Sequence, residues 1–470
     1  MTRFVQDLPE PQRPTRVRYG VLVFACVLAM IAYLGRACIG PAKPYFEQAL
    51  GLQSEGDLKW VMAAFPLAYA LFGVPGGWLA DVFGPRYVLL RIVLLWSAMT
   101  AVLGLVGLSL GGCVLGGMGL LAAVCFLCGM SQAGAFPNIT RTLHNWFPYQ
   151  ERGFTQGAVW TCGRLMAGLT PLVWMVLVAG VARPGAKAGE ALLLPPLVNW
   201  RAAFSVFALI GVIWCVWCAL RFRSRPEEDS RVNAAELAWI RSSGTALAAT
   251  APAAREHIAV PWARILTSSN LWLLGIMYFC QSYGWWFYIT YLPTYFEKRY
   301  DVPTASLLGA IYKGGPLWMG AIGCLMGGFL TDLLIRRTGS RWGRRLTGVF
   351  GHGSTCVCCL LLPLAPTAAS FFVIVSLAGF ATDLTMGAAW AACQDVGRRW
   401  AGIVAGFMNM IGNLGGAVNG WAFGHILQTV GPERGYAVNF LIFAAFYAVG
   451  VLCWLLIDAS RPLVPDDAGA

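Results

Sequence analysis

The sequence predicts an all-α membrane protein: twelve transmembrane helices in two pseudo-symmetric six-helix bundles. Three observations carry that prediction. The 470 residues are 58% hydrophobic and only 12% charged, with a mean hydropathy of +0.63, too apolar for a water-soluble domain. Twelve apolar runs can be placed along the chain, each near the roughly 20 residues a helix needs to cross a bilayer. The two halves also repeat. GGWLADVFGPRYVLLR (Gly76 to Arg91) and GGFLTDLLIRRTGSRWGRR (Gly327 to Arg345) place Asp81 and Asp332 at equal positions, 251 residues apart. ERGFTQGAVWTCGR (Glu151 to Arg164) is echoed by WAGIVAGFMNMIGN (Trp400 to Asn413) at an offset of 249. Two copies of one six-helix unit, with a site between them near the midplane, is a transporter plan.

In chain order, residues 1–18 read as a cytoplasmic tail. Asp7 and Glu10 interrupt its arginines, and no cleavage-like site follows. Apolar runs then fall at 19–41, 58–80, 88–110, 117–143, 153–181 and 200–222, forming an N-terminal bundle over 19–222. Residues 223–268 are polar and Arg-rich, the one composition break, and read as a cytoplasmic linker. Within it, NAAELAWIR (Asn233 to Arg241) is an amphipathic stretch expected on the membrane surface. The C-terminal bundle, 269–458, has runs at 269–297, 305–335, 346–364, 369–394, 401–429 and 436–458, followed by a cytoplasmic tail at 459–470. Loop arginines such as Arg86, Arg91, Arg152, Arg336, Arg337 and Arg398 fall on one side with both termini, which is therefore expected to be cytoplasmic.

The same features narrow the function. The net charge of +12 sits at helix ends and forms no basic face, so it reads as positive-inside bias and implies no nucleic acid. Most of the fifteen cysteines lie in apolar runs. CFLC, CVWC and CVCC have metal-like spacing but no histidine or carboxylate beside them. His144, His257, His352 and His425 are scattered. No metal or cofactor is expected. The absence of a G-x-x-x-x-G-K-[ST] loop argues against ATP-driven pumping, and no Ser/His/Asp or Cys/His set suggests an enzyme.

Ionisable groups inside apolar helices are functional by default because burying them is costly. Arg36, Arg164 and Lys313 lie within their spans, with Gln132 deep in the fourth. Arg suits bidentate carboxylate binding and Lys adds a point charge, so the set points to a small anion. Helix packing through backbone carbonyls would also accommodate the arginines, and Lys313 is near enough to the outer end to snorkel. Asp383 is the one carboxylate at depth, and the 251-residue repeat maps it onto Gln132. It is expected to carry the coupling proton, the alternative being a permanent structural pair. Asp81 and Asp332, with Arg86 and Arg152, are expected to latch one end of the cavity, each acid meeting a cation or a helix N-terminus.

YLGRACI (Tyr33 to Ile39), AYALFGVPGGWLAD (Ala68 to Asp81), GAFPNITRTLHNWFPYQERGFTQG (Gly134 to Gly157) and FMNMIGN (Phe407 to Asn413) together resemble the major facilitator superfamily. Within it they resemble the anion:cation symporter family, whose members carry hexuronates, galactonate, glucarate and phthalate. The resemblance spans 19 to 458. It implies that Arg36 meets the substrate carboxylate and that Tyr69 and Asn413, with Asn409 one turn earlier, make polar contacts. It also implies that the seventh run presents Tyr283, Trp286 and Tyr288 as an aromatic gate. Two departures stand out. Gly35 replaces the acid of a Y-x-D-R pattern, and Gln132 replaces the glutamate of G-x-x-E-A-x-x-F-P. Neither residue titrates, so the family's usual proton-handling pair is missing.

The expectation is therefore a monomeric inner-membrane transporter moving a small organic anion by alternating access. Sugar acids such as hexuronates or aldonates are favoured over aromatic carboxylates. Coupling is expected to a proton, with sodium as the other candidate. Exchange or facilitated diffusion, and a ligand-sensing receptor without turnover, are the alternatives.

Overall fold

The structure, a computed structural model, describes residues 13–51, 59–110, 113–182, 192–241, 260–302 and 307–463. Eight helical stretches are long and apolar enough to cross a membrane. Counted with their kinks and breaks, the described helices form twelve spans. The first six are Val17–Ala37 with Ile39–Leu50, Lys59–Leu71 with Gly73–Phe83, Pro85–Leu103, Met118–Ala133 with Ala135–Trp146, Arg152–Trp174, and Trp200–Arg221. The seventh is Ser269–Thr290 with Leu292–Tyr300. Spans eight and nine form one tract, Leu307–Leu361, turned back at Gly339, whose φ of 79° a side chain would resist. Ala368–Leu384 with Met386–Gly397, Ala401–Val430 and Pro432–Leu456 complete the set.

Boundaries depart from the apolar runs where local chemistry overrides hydropathy. Span three stops at Leu103, not near 110, because the glycine-rich stretch after it folds into a short hairpin, Leu108–Leu110 against Cys113–Leu115. Span nine begins before its apolar run: Arg345 satisfies the carbonyls of Ile457 and Leu456, which lets a polar turn stay helical. Breaks recur at repeat-related places. Spans one and seven break at Cys38 and Tyr291, and spans four and ten at Gly134 and Thr385. Broken helices of this kind expose backbone at membrane depth only where protein or a cavity receives it.

The halves meet where span two packs on span eleven and span five on span eight. Small residues let these backbones touch. A Cβ on Gly77 would lie 2.0 Å from the Gly402 carbonyl oxygen, and one on Gly328 would lie 2.6 Å from that of Gly153, its counterpart in the repeat. Gly77→Val is therefore expected to keep the two spans apart at this end and to lower the apparent Tm by several degrees; a fluorescence melt against wild type checks it.

Among the described residues, the hydrogen bonds between the halves all lie between the Arg164–Asp383 level and the end that carries both termini. The two halves are thus bonded together at the terminus-bearing end.

The linker helix Ala234–Arg241 corrects one expectation. It does not lie free on a membrane surface, because Glu236 is fully buried. Its carboxylate accepts from Thr15 Oγ1 at 2.6 Å, the backbone N–H groups of Val17 and Arg18, and Arg18 Nη1, so it caps the start of span one. Trp239 donates to Glu151 beside span five. Nearby, the hydrogen bond from Arg231 holds the Asp229 carboxyl below its usual range. Glu236→Ala removes charge-assisted bonds from the first turn of span one. It is expected to cost roughly 2–3 kcal/mol, read as a lower melting temperature.

Candidate functional site

The cleft between the halves begins on span one. Arg36 is half-buried, and its guanidinium lies over three rings: Tyr69 at 4.6 Å, Tyr33 at 5.2 Å and Phe65 at 5.3 Å from their centroids. Cation–π attraction of this kind holds a guanidinium without neutralising it. Among the described residues its one side-chain hydrogen bond is long, 3.5 Å to Gln132 Oε1, and its buried Nε has no partner. Among the described residues no carboxylate comes within ion-pair distance of it. Arg36 is a positive fork with room for an acceptor.

Arg164 is in a different condition. It donates Nε to Asp383 Oδ2 at 2.7 Å and Nη2 to Oδ1 at 3.0 Å, a bidentate pair joining span five of one half to span ten of the other. Its third arm, Nη1, donates to the Tyr33 hydroxyl at 2.9 Å, and the Trp285 ring covers the guanidinium at 4.0 Å. Two glycines make this possible. A Cβ on Gly163 would sit 2.7 Å from the Tyr33 ring, and one on Gly320 would sit 2.3 Å from Asp383 Oδ2. The two groups read from sequence as a substrate cation and a coupling acid are thus each other's partner in this state.

The other expected contacts divide. Tyr69 and Gln132 stand at Arg36. Asn413 donates to the Asn409 carbonyl at 2.7 Å on span eleven, and buried Asn409 Nδ2 has no partner. No hydrogen bond among the described residues joins either asparagine to the arginines. Trp286 packs on Gly416, while its neighbour Trp285 is the residue over Arg164. Tyr283 is not in the cleft: it packs on Phe443 and Phe446 of span twelve, inside the C-terminal bundle. Successive helix positions differ by 100°, so the aromatic run alone could not tell which faces inward. Lys313 lies two turns, roughly 10 Å, toward the far face from Gly320, within electrostatic reach of Glu297. The structure places it outside the arginine cluster.

Gly35, where the resembled pattern has an acid, faces away from the cleft. Its Cβ would meet the Trp96 indole at 3.0 Å, beside a void of about 10 Å³ lined also by Ser97 and Thr100.

Below Arg164, Phe136 and Trp160 of one half stack at 4.5 Å. Trp390 of the other closes on both, and Tyr278 lies edge-on to it. This aromatic plug seals the cleft. Beneath it lies a two-fold latch. Asp81 accepts the N–H groups of Gly402 (3.0 Å) and Ile403 (2.8 Å), at the start of span eleven. Asp332 accepts those of Gly153 (2.9 Å) and Phe154 (2.7 Å), at the start of span five. Each acid sits on the positive end of the opposite half's helix. Arg152 bonds Asp395 at 2.9 Å, and Arg344 reaches Asp395 at 3.0 Å. Arg86 does not join the latch. It donates to the Ala219 carbonyl within its own half, because its backbone turns toward the end of span six. Arg141, Arg344 and Asp395 were missed by motif reading; Arg141 lies 3.6 Å from Asp81 and bonds the Arg398 carbonyl across the halves.

The family model described as Major Facilitator Superfamily matches residues 25–420. A probable sulfoacetate transporter of Cupriavidus necator is 31% identical over 96% of each chain. A probable galactarate/D-glucarate transporter of Bacillus subtilis is 27% identical, over 95% of this chain and 92% of its own. The hexuronate transporter of the same organism is 25% identical over 96% of each. Among solved structures, the proton:xylose symporter XylE bound to 6-bromo-6-deoxy-D-glucose superposes with a TM-score of 0.72 at 14% identity, covering 94% of this chain and 96% of that one. The Escherichia coli fucose:proton symporter gives 0.68 at 14% identity, covering 94% and 100%. These two likenesses concern the fold.

Proposed function

Because the chain belongs to the major facilitator superfamily, in its anion:cation symporter group, we propose that it carries a small organic acid by alternating access. Arg36 is the anchor for the acid in this reading. The observation that carries it is the half-buried Arg36 guanidinium, caged by three rings with no carboxylate among the described residues within ion-pair distance. Gln132 and Tyr69 beside it suit the oxygens of hydroxylated or sulfonated carboxylates, so sugar acids and sulfo-acids form the set to screen. The terminus-bearing face is cytoplasmic, the membrane is a bacterial inner membrane, and the monomer is the working unit. Tryptophans at the site support an aromatic substrate less than the sequence suggested, since Trp285 already stacks on Arg164.

Coupling runs through Asp383. A carboxylate paired with Arg164 stays ionised, and one released from it at this depth takes a proton because an unpaired buried charge is costly. Opening and closing the pair therefore binds and releases a proton. The test is counterflow and proton flux in proteoliposomes. Wild type is expected to exchange labelled acid and to move protons with it. Asp383→Asn is expected to keep exchange but to lose proton-driven accumulation at least tenfold. Binding without exchange by wild type would favour a receptor, and unchanged proton flux in Asp383→Asn would remove Asp383 from the coupling.

A further inference from the structure

Tyr33 is the residue for which the transport reading so far has no use, and it is central to the geometry. It is buried on span one, and its hydroxyl accepts from Arg164 Nη1 at 2.9 Å. Its ring also lies beside both guanidiniums, at 5.2 Å from the Arg36 carbon and 6.0 Å from that of Arg164. The two guanidinium carbons are therefore no more than about 11 Å apart. Among the described residues the Arg36 fork meets no carboxylate, whereas the Arg164 fork is paired with the protein's own Asp383.

We infer that Arg36 and Arg164, spaced by Tyr33, form a two-point site for a short dianion whose second acidic group displaces Asp383 from Arg164. This rests on the organic-acid reading above. A side-by-side guanidinium–acid pair puts the two central atoms about 4 Å apart. Subtracting one such contact at each end from that upper bound leaves at most roughly 3 Å between in-line acid centres, which limits the ligand to acidic groups joined through one or two carbons. Charge balance gives the same answer. The site's own charged side chains, two arginines and one aspartate, carry a net charge of +1. A dianion on both arginines, with Asp383 taking one proton from the far-side water, brings it to zero. A monoanion neutralises that charge at Arg36 alone, leaves the Arg164–Asp383 pair closed and takes up no proton. Around Asp383 the other titratable groups are Tyr33 of span one, Tyr288 of span seven, Cys324 of span eight and Tyr447 of span twelve. Among the described residues none of its neighbours is a second carboxylate, so the proton goes to Asp383.

Calorimetry on the purified full chain in nanodiscs tests this with malonate, succinate and sulfoacetate, the monomethyl esters of the first two, and acetate. Repeating titrations in buffers of different ionisation enthalpy counts protons. At least one diacid is expected to bind tenfold or more tighter than its monoacid control, with one proton taken up per molecule bound. Arg164→Ala risks misfolding by stranding Asp383, so the double variant Arg164→Gln/Asp383→Asn is used, which removes both charges and keeps a hydrogen-bonding pair. In it the diacid advantage and the proton uptake are both expected to disappear. Monoacids binding as tightly as diacids in wild type, or a diacid advantage that survives in the double variant, overturns the two-point site and leaves the organic-acid reading intact. Failure of these acids and of a sugar-acid panel to bind at all overturns both.

Discussion

Arg36→Gln is expected to weaken substrate binding about 100-fold while leaving the protein's melting temperature within about 1 °C of wild type. A charge-assisted bond to a carboxylate contributes roughly 1.5–3 kcal/mol, and the bidentate form lies at the upper end. About 3 kcal/mol corresponds to a little over two decades in affinity. The small effect on stability follows from the same geometry. Among the described residues Arg36 makes one long side-chain hydrogen bond, to Gln132, and its guanidinium lies against three ring faces. Removing a cation that no carboxylate among the described residues neutralises strands no charge, and the new Gln amide can still donate to Gln132 Oε1. Arg36→Lys restores the charge without the planar fork and is expected to recover only part of the loss, roughly tenfold. Titration of transported acid by tryptophan quenching, with parallel melts, checks all three. A Gln variant that binds within twofold of wild type would remove Arg36 from the anchor role.

How much of this was legible in the sequence depends on the range of the interaction involved. Span number, the two-half plan and the latch acids are properties of hydropathy and of a repeat, so Asp81 and Asp332 could be read directly, as could their fitness for a helix N-terminus. The residues they meet, Gly402, Ile403, Gly153 and Phe154, lie in the second repeated stretch that the sequence also showed. Arg36, Gln132, Arg164 and Asp383 stood out because each is a polar cost inside an apolar helix. That Arg164 and Asp383 neutralise each other was not legible, because their contact spans 219 residues and depends on how two bundles dock. Tyr283 failed for a different reason. In a run as aromatic as YFCQSYGWWFYITYLPTYF, hydropathy has no inward-facing phase, and Trp285 was as eligible as Trp286. Arg86 failed because a positively charged loop residue beside a motif has the same sequence signature whether it bridges the halves or ties down its own.

The second large effect belongs to the latch. Asp395→Ala is expected to shift the carrier about 100-fold away from the conformation seen here, in which the terminus-bearing end is latched. Asp395 is the shared acceptor of Arg152 from one half and Arg344 from the other, and the side chains of these arginines are 2% and 0% exposed. Its removal leaves Arg344 only the longer contact to Asp332 at 3.6 Å, and leaves Arg152 no carboxylate among the described residues. Stranding a buried cation in this way costs roughly 3–5 kcal/mol. Most of that cost falls on one conformation. When the terminus-bearing end opens, Arg152 parts from the C-terminal half and regains water, so the open form escapes a penalty that the closed form bears. A difference near 3 kcal/mol moves a two-state equilibrium by two decades. Spin labels at Gln48→Cys and Lys298→Cys, on the far ends of spans one and seven in a background without reactive native cysteines, report the outcome as a distance. In Asp395→Ala the short-distance population should dominate. In Asp395→Asn, which can still accept from both arginines, it should rise only modestly. Arg152→Ala added to Asp395→Ala should restore part of the long-distance population, because it removes the stranded cation itself. Recovery on deleting a second latch residue separates the electrostatic account from simple loss of packing, under which the double variant would be worse than either parent.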